Sequence, residues 1–235
     1  MEVQVKGANC SLSESLITRL LNLGTTVICD NHSHHEELNS VLLAHSEAKL
    51  LADGNAFSIS FDGSAADIVI GTDLIIIDLI PSRPGNRWPA QRFISWTQGN
   101  TSVSDSVNWW LAEADAASVI ARICRANRLC DAIELCGRRS WKESDTYSEF
   151  SKLWQRTTMG QSGNFTSQAL THMPISGMGA IPVGDETPSR PRLELIHCLL
   201  DDIDGEGFRP LTPLRTAMMK LIAGIINQSQ LGSLE

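Results

Sequence analysis

The first thirty residues follow the pattern of a strand, a helix and a second strand, which limits the fold more than any other part of the chain. Val3 and Val5 alternate with polar residues and lead to Gly7, which predicts a strand that ends in a turn. A helix is predicted next, because apolar residues recur at helical spacing. The β-branched run from Thr25 to Cys29 predicts a second strand, which ends at Asp30. The pattern therefore indicates a βαβ unit.

A βαβ unit can bind a dinucleotide at the turn that joins its first strand to its helix. The helix N-terminus, for which Ser11 or Ser13 is the expected cap, directs N–H groups at a pyrophosphate. Asp30 is placed to accept a hydrogen bond from a ribose hydroxyl. The usual fingerprint has three glycines, however, and this turn has only Gly7, with Cys10 and Ser13 near the other two positions. The residues thus leave two alternatives open, a nucleotide-binding unit and a purely structural one.

Length, composition and charge exclude several classes of protein. The chain of 235 residues is 42% hydrophobic and 20% charged, which is typical of a globular α/β domain with room for a small lobe. A net charge of −8 repels a phosphate backbone, and we expect no nucleic-acid partner. The sequence has no membrane-spanning apolar window and no signal peptide. We therefore expect a cytoplasmic protein without a membrane partner.

The cysteines and histidines do not match a metal-site spacing. Six cysteines occur without a C-x-x-C pair, and we expect them to be reduced thiols. The regular spacing of Cys124, Cys130 and Cys136 fits buried apolar residues better than zinc ligands. His32, His34 and His35 follow the second strand in a segment that is interpreted as a solvated loop, although a transition-metal site is an alternative. We therefore predict no metal site.

The remaining elements predict an α/β fold with a Rossmann-like, doubly wound parallel sheet and a small C-terminal lobe. The apolar run from Asp73 to Ile80 is typical of a strand that is buried on both faces of a parallel sheet. Shorter strands are predicted at Ala56–Phe61, Arg92–Trp96 and Ala132–Cys136. Helices are predicted at Glu36–Leu51, from near Glu113 to Ile123, after Ser140 with a capping box to Glu143, and at Leu214–Gln228 with Thr212 as N-cap.

A change of composition at Met159 suggests a division into two domains. Residues 1–158 form the predicted nucleotide-binding domain, shortened in its middle, and residues 159–235 form a glycine-rich flap followed by a small lobe of substrate-binding type. The flap, Met159 to Thr187, has no sustained hydrophobic period.

Several stretches together resemble one family. They are Val3–Ser13, Val27–Asn31, Asp73–Ile80, Trp110–Ile123, Ala132–Phe150, Ser189–Pro191 and Gly207–Leu214. In this order they are similar to the extended short-chain dehydrogenase/reductases of the NAD-dependent epimerase/dehydratase type. The resemblance implies a cofactor site for NAD(P)(H) and an arginine, Arg190, that meets the diphosphate of a nucleotide sugar. The implied cofactor-binding residues are Gly7, Asn9, Cys10, Ser11, Leu12, Asp30 and Asn31.

The chain departs from this family at the catalytic residues. The family uses a Tyr-x-x-x-Lys pair, in which the lysine lowers the pKa of the tyrosine for proton transfer. The single tyrosine here, Tyr147, has Ser151 at the fourth position and Lys152 one place further, so we interpret it as a structural aromatic residue. The twelve residues from Pro81 to Arg92 stand where the resemblance implies a helix, a strand and the catalytic helix. Because the family dimerises through those helices, another subunit or the chain's own tryptophans must cover the apolar face left behind.

Two functions follow as hypotheses. The first is a divergent epimerase/dehydratase-like protein that binds NAD(P)(H) or a nucleotide sugar without the Tyr-x-x-x-Lys pair. Its catalytic residues are unknown, and Asp78, Glu113 and Asp115 are candidates only because they lie near strand ends. The second is a non-catalytic Rossmann-like subunit that assembles with a partner protein or with a second copy of itself.

Overall fold

A parallel sheet organises the part of the chain that the structure describes. The computed structural model describes residues 1–29, 49–51, 54, 56–85, 88, 90–161 and 191–231. Five parallel strands lie in the order β3-β2-β1-β4-β5. Their bounds are β1 Glu2–Lys6, β2 Thr26–Cys29, β3 Leu50–Leu51, β4 Phe57–Ser60 and β5 Ile68–Val69.

The predicted βαβ unit is confirmed. Helix α1 (Ser11–Asn22) joins β1 to β2, which pair in parallel with Val3 opposite Val27. Its apolar face is buried at the helical spacing that the sequence shows. The N-cap is Cys10 instead of Ser11 or Ser13, because the Ser13 side chain reaches back to the Cys10 backbone and Ser11 already has helical geometry.

The predicted strand Asp73–Ile80 is interrupted. It forms β6 (Leu74–Ile76) and β7 (Leu79–Ile80), with Asp78 between them at a φ of +52°. The two halves pair with different neighbours, β6 with β10 (Ile133–Leu135) and β7 with β9 (Leu111–Ala112). The left-handed residue turns the strand from one partner to the other.

The connection from β5 to β6 is short. Residues 70–73 connect β5 to β6, and within this tight connection an isolated bridge pairs Ile70 with Leu74. Gly71 adopts a φ of +102° there, and the Asp73 carboxylate accepts a hydrogen bond from the Val69 N–H at 2.7 Å.

The segment after β7 is helical where a strand was predicted. Helix α2 (Ala90–Thr97) replaces the predicted strand Arg92–Trp96, so that prediction is wrong. Ala90, Phe93 and Trp96 are buried at intervals of three residues, which is a helical period that a five-residue window cannot separate from alternation.

The remaining elements are α3 Glu113–Arg125, α4 Glu143–Gln161, α5 Glu194–Asp204, α6 Leu214–Leu231, β8 Val107–Asn108 and β11 Trp141–Lys142. One apolar core joins the five-stranded sheet to α1, α3 and α5. A second core gathers α2, α4 and α6 around Phe93 and Phe150, with Ile80 of β7 and Ala112 of β9. A small antiparallel pair, β8 with β11, lies apart from the parallel strands. The predicted α/β fold with a parallel sheet is confirmed.

Two predicted helix caps are wrong. Glu143 is the first residue of α4, and its carboxylate accepts hydrogen bonds from Ser104 and Ser106, so Ser140 and Glu143 do not form a capping box. The Thr212 hydroxyl donates to Asp115 at 3.0 Å instead of capping α6. In both cases a partner distant in sequence outcompetes the local contact.

The predicted flap is described only at its start. Residues 159–161 belong to α4, and residues 162–187 lie outside the described part of the chain. The same holds for the predicted helix Glu36–Leu51, except that residues 50 and 51 form β3. Among the helices described, none combines the length and apolarity that crossing a bilayer requires.

Candidate functional site

The turn after β1 packs tightly against the loop after β4. Gly7 has a φ of +62°, and a Cβ there would lie 2.6 Å from the side chain of Asp62. Its carbonyl oxygen accepts a hydrogen bond from the Asn9 N–H at 2.8 Å. Only glycine fits both the left-handed backbone and this close approach. The one glycine of the turn, Gly7, therefore occupies a position at which the backbone conformation and the contact with Asp62 require glycine.

A large crevice opens beyond this turn. Its volume is about 1490 Å³, and the loops that follow β1, β4, β5 and β7 form one side of it. In open parallel sheets, ligands bind beyond the carboxyl ends of the strands, where the N-terminus of a helix supplies N–H groups. The residues at the start of α1 that line the crevice are Asn9, Cys10 and Ser11.

The C-terminal helix forms the opposite wall. Lys220, Gly224 and Asn227 of α6 line the crevice. Gly224 brings α6 against the loop after β7, because a Cβ there would lie 2.6 Å from the carbonyl oxygen of Ser82. The crevice therefore lies between the turn after β1 and the C-terminal helix α6.

A buried carboxylate joins the parts of the crevice wall. Glu113 is 3% exposed and accepts hydrogen bonds from the hydroxyl groups of Ser11 and Ser15 on α1. It also accepts from Ser82, through the backbone N–H at 2.9 Å and the hydroxyl at 2.8 Å. Glu113, one of the loosely predicted catalytic candidates, therefore fixes α1 against the loop after β7.

The charges near the turn are mixed. Hydrogen bonds from Ser64, and then from Ser60, lower the pKa of the Asp62 carboxyl to about 2, so this group is ionised at neutral pH beside Gly7. Arg83 also lines the crevice and pairs with Glu14. Lys220 lines it with no ion-pair partner among the described residues. An anionic ligand in the crevice would therefore be attracted by Lys220 and repelled by Asp62, because neither charge forms an ion pair with another described side chain.

The predicted cofactor residues do not all reach the crevice. Asn9, Cys10 and Ser11 line it, and Gly7 lies in the turn just before them. The Leu12 side chain is fully buried in the core. Asp30 and Asn31, and Arg190 as the predicted substrate residue, lie outside the described residues.

The other acidic candidates have structural partners. The Asp78 carboxylate accepts the Trp109 N–H at 2.6 Å, and burial raises its pKa, opposed by that hydrogen bond and by Arg92. Asp115 accepts hydrogen bonds from the N–H and hydroxyl of Thr212. Neither residue lines the large crevice.

Tyr147 packs as a structural aromatic residue. Its ring meets Trp96 edge to face at a centroid distance of 5.3 Å, within the core of α2, α4 and α6. Within the described ranges, no three histidine, cysteine or acidic side chains form a group that could hold a metal. His32, His34 and His35 lie outside those ranges.

Sequence reasoning missed Asp62, Ser82, Arg83 and Lys220 as lining residues. Asp62 directly follows the predicted strand Ala56–Phe61, and this position was the available signal. Lys220 gave no signal, because its role depends on where α6 packs.

Comparison with known proteins identifies the fold. No family model and no curated protein matches the sequence. A structure of the Bordetella bronchiseptica enzyme WbmF in complex with NAD⁺ and UDP matches with a TM-score of 0.55 and 10% identity, over 99% of this chain and 93% of that one. A Bacillus cereus UDP-glucuronic acid 4-epimerase, in complex with UDP-glucuronic acid and NAD, gives 0.53 and 10%, over 97% and 100%.

A third solved structure agrees with these two. It is the dTDP-glucose 4,6-dehydratase of Bacillus anthracis in complex with NAD, with a TM-score of 0.52 and 7% identity over the full length of both chains. At such low identity a structural likeness establishes the fold alone. The chain thus has the Rossmann-type fold of the NAD-dependent nucleotide-sugar epimerases and dehydratases.

Proposed function

We propose that the chain binds a dinucleotide of the NAD(P) type in the crevice at Gly7, as a divergent epimerase/dehydratase-like protein. The observation that carries this proposal is the crevice of about 1490 Å³ into which the start of α1 opens beyond the strand ends. Structures that share the fold hold NAD, and two of them hold UDP or a UDP-sugar as well. A nucleotide sugar is the expected second ligand. Asp30 and Asn31 remain proposed contacts of the cofactor, and Arg190 remains the proposed contact of the nucleotide sugar.

The residues of the site support binding more than redox catalysis. The chain has one tyrosine, and its ring is packed against Trp96 instead of lining the crevice. Loss of a general acid/base pair lowers a rate by about 10² to 10⁴. We therefore expect any turnover to be slow.

The proposal also includes the division of the chain into a nucleotide-binding domain, residues 1–158, and a segment of substrate-binding type, residues 159–235.

A second function, a non-catalytic subunit, is favoured by one observation. The ionised Asp62 lies against the glycine of the turn, where it opposes a pyrophosphate. If this repulsion prevails, the unit is structural, and its partner is another protein or a second copy. Light scattering of the purified chain, together with an assay for turnover, separates the two functions.

Titration with NADH tests the proposed function. The six tryptophans report binding by fluorescence, and we expect saturation below about 1 mM, in the range typical of cofactors and substrates. Gly7→Ala should weaken binding at least about tenfold, because the new Cβ strains the backbone and meets Asp62. The matched control is Gly205→Ala, which has a similar φ of +76° and open space around it outside the crevice. Absence of saturation, or an equal loss in the control, would contradict the proposal.

A further inference from the structure

Three hydrogen-bond donors at the turn after β1 are already used within the protein. The Asn9 N–H donates to a carbonyl oxygen of the same turn at 2.8 Å, and the Cys10 N–H donates to the Ser13 hydroxyl oxygen at 3.2 Å. The hydroxyl group of Ser11, which lines the crevice, donates to Glu113. A pyrophosphate at this turn therefore needs attraction from another part of the crevice wall.

Lys220 carries an unpaired positive charge in that wall. The charged side chains among the described residues that line the crevice are Asp62, Arg83 and Lys220. Arg83 is paired with Glu14, whereas Lys220 forms no ion pair with another described residue. An anionic group in the crevice can thus pair with Lys220 without breaking an existing ion pair.

Lys220 lies near the first turn of α1. It lines the crevice together with Ser11, and it lines an adjoining cavity of about 60 Å³ together with Ser15 and Glu113. Asn227 also lines the crevice and follows Lys220 by about two helical turns, so the two side chains share one face of α6. This polar face of α6 therefore lies across the crevice from the N-terminus of α1.

A chain of contacts holds α6 in this position. Gly224 comes one turn after Lys220, and a Cβ there would lie 2.6 Å from the Ser82 carbonyl oxygen. Ser82 donates to Glu113 through its N–H at 2.9 Å and its hydroxyl at 2.8 Å, and Glu113 also accepts from Ser11. The backbone of α6 is thus fixed relative to the start of α1, while the ammonium group of Lys220 stands on a flexible stem.

We propose that Lys220 binds the pyrophosphate group of the nucleotide, so that the positive charge comes from α6 instead of from the turn after β1. A lysine ammonium forms a charge-assisted hydrogen bond with a phosphate oxygen, which is stronger than a bond between neutral groups. The dipole of α1 stabilises the same anion from the opposite wall. The inference rests on the nucleotide binding proposed above, and it names the residue that offsets the repulsion by Asp62.

Three ligands test this assignment, namely NADH, ADP and adenosine. Tryptophan fluorescence follows NADH, and calorimetry follows ADP and adenosine. We expect Lys220→Gln to weaken NADH and ADP by about tenfold or more, because a charge-assisted hydrogen bond is lost. Adenosine has no phosphate, so it should bind weakly or not at all, and equally in both proteins. Unchanged affinity for NADH and ADP in the variant would overturn the assignment, as would an equal loss for adenosine.

Matched variants separate the charge of Lys220 from its packing. Lys220→Arg keeps the charge and should stay within severalfold of the wild type, whereas Lys142→Gln removes an exposed lysine outside the crevice and should change nothing. In the double variant Asp62→Asn with Lys220→Gln, the gain and the loss act on the same anion, so NADH affinity should return toward that of the wild type. A loss in Lys142→Gln as large as in Lys220→Gln would contradict the assignment.

The outcomes distinguish this inference from the function on which it rests. If the wild-type chain binds NADH and Lys220→Gln binds it equally well, the role of Lys220 is wrong and the proposed function stands. If ADP binds and depends on Lys220 but NADH does not bind, the dinucleotide function is wrong and Lys220 keeps its role toward a diphosphate. Binding of neither ligand would overturn both.

Discussion

The carboxylate of Glu113 accepts two hydrogen bonds from Ser82, a residue 31 positions earlier in the chain. The same carboxylate accepts from the hydroxyl groups of Ser11 and Ser15. Four donors from two separate segments thus converge on one buried side chain, and together they set the distance between the start of α1 and the loop after β7.

Glu113→Gln should destabilise the protein by about 2 kcal/mol, because the amide N–H₂ faces donors where the carboxylate accepted hydrogen bonds. Urea unfolding gives the free energy of unfolding. The exposed Glu2 supplies the control, as Glu2→Gln removes the same charge without a partner. Equal stability of the two variants would show that the four hydrogen bonds contribute little.

Asp62→Asn should strengthen NADH binding severalfold, because it removes an ionised carboxylate beside the turn that is proposed to hold the pyrophosphate. The pKa of Asp62 is lowered to about 2, so the folded-state charge is constant from pH 5 to pH 8. We therefore expect the same gain at both pH values, measured by fluorescence titration. A gain that appears only at pH 8 would indicate a different titrating group.

The lowered pKa of Asp62 also predicts how the free energy of unfolding changes with pH. Because the folded-state pKa lies below the ordinary value of 3.8, the contribution is present above that value and is lost as the pH falls toward about 2. Asp62 is exposed, so solvent screening makes this contribution small.

Gly224→Ala should destabilise the protein, although alanine has the higher helix propensity by about 1 kcal/mol. The new Cβ would meet the Ser82 carbonyl oxygen at 2.6 Å and push α6 away from the loop after β7. Thermal unfolding checks this expectation against Thr216→Ala, a substitution at an exposed position of α6. A rise in Tm for both variants would mean that the close approach is easily relieved.

Asp78→Asn should be neutral or stabilising at pH 7, because asparagine tolerates the left-handed backbone, accepts the Trp109 N–H and removes a buried charge. Burial raises the pKa of Asp78, so the wild type is penalised as the pH rises through that pKa. The advantage of the variant should therefore shrink as the pH falls through that raised pKa toward 3.8, and it should be absent below 3.8. Urea titrations at several pH values measure the difference, and Asp78→Ala, which lacks the acceptor, should be less stable throughout.

The parts that could be predicted share a local cause. The sequence predicts β1 from the alternation of Val3 and Val5 with polar residues, and it predicts α1 from apolar residues that recur every three to four positions. Both hydrophobic periods are visible within about a dozen residues. The eight-residue helix α2 was mistaken for a strand, since its buried Phe93 and Trp96 are too few to reveal a period. Thr212 was predicted as an N-cap, and Glu143 as the capping-box partner of Ser140, because their actual partners, Asp115 and Ser104, are far away in sequence.

The βαβ beginning and the absence of a Tyr-x-x-x-Lys pair follow from the sequence alone, because each depends on neighbouring residues. Only the tertiary structure placed Asp62 against Gly7 and Lys220 across the crevice from the start of α1. The first two residues are 55 positions apart in the sequence, and Lys220 follows Ser11 by 209 positions. Their approach depends on how the loops and helices pack around the sheet, which no local pattern encodes.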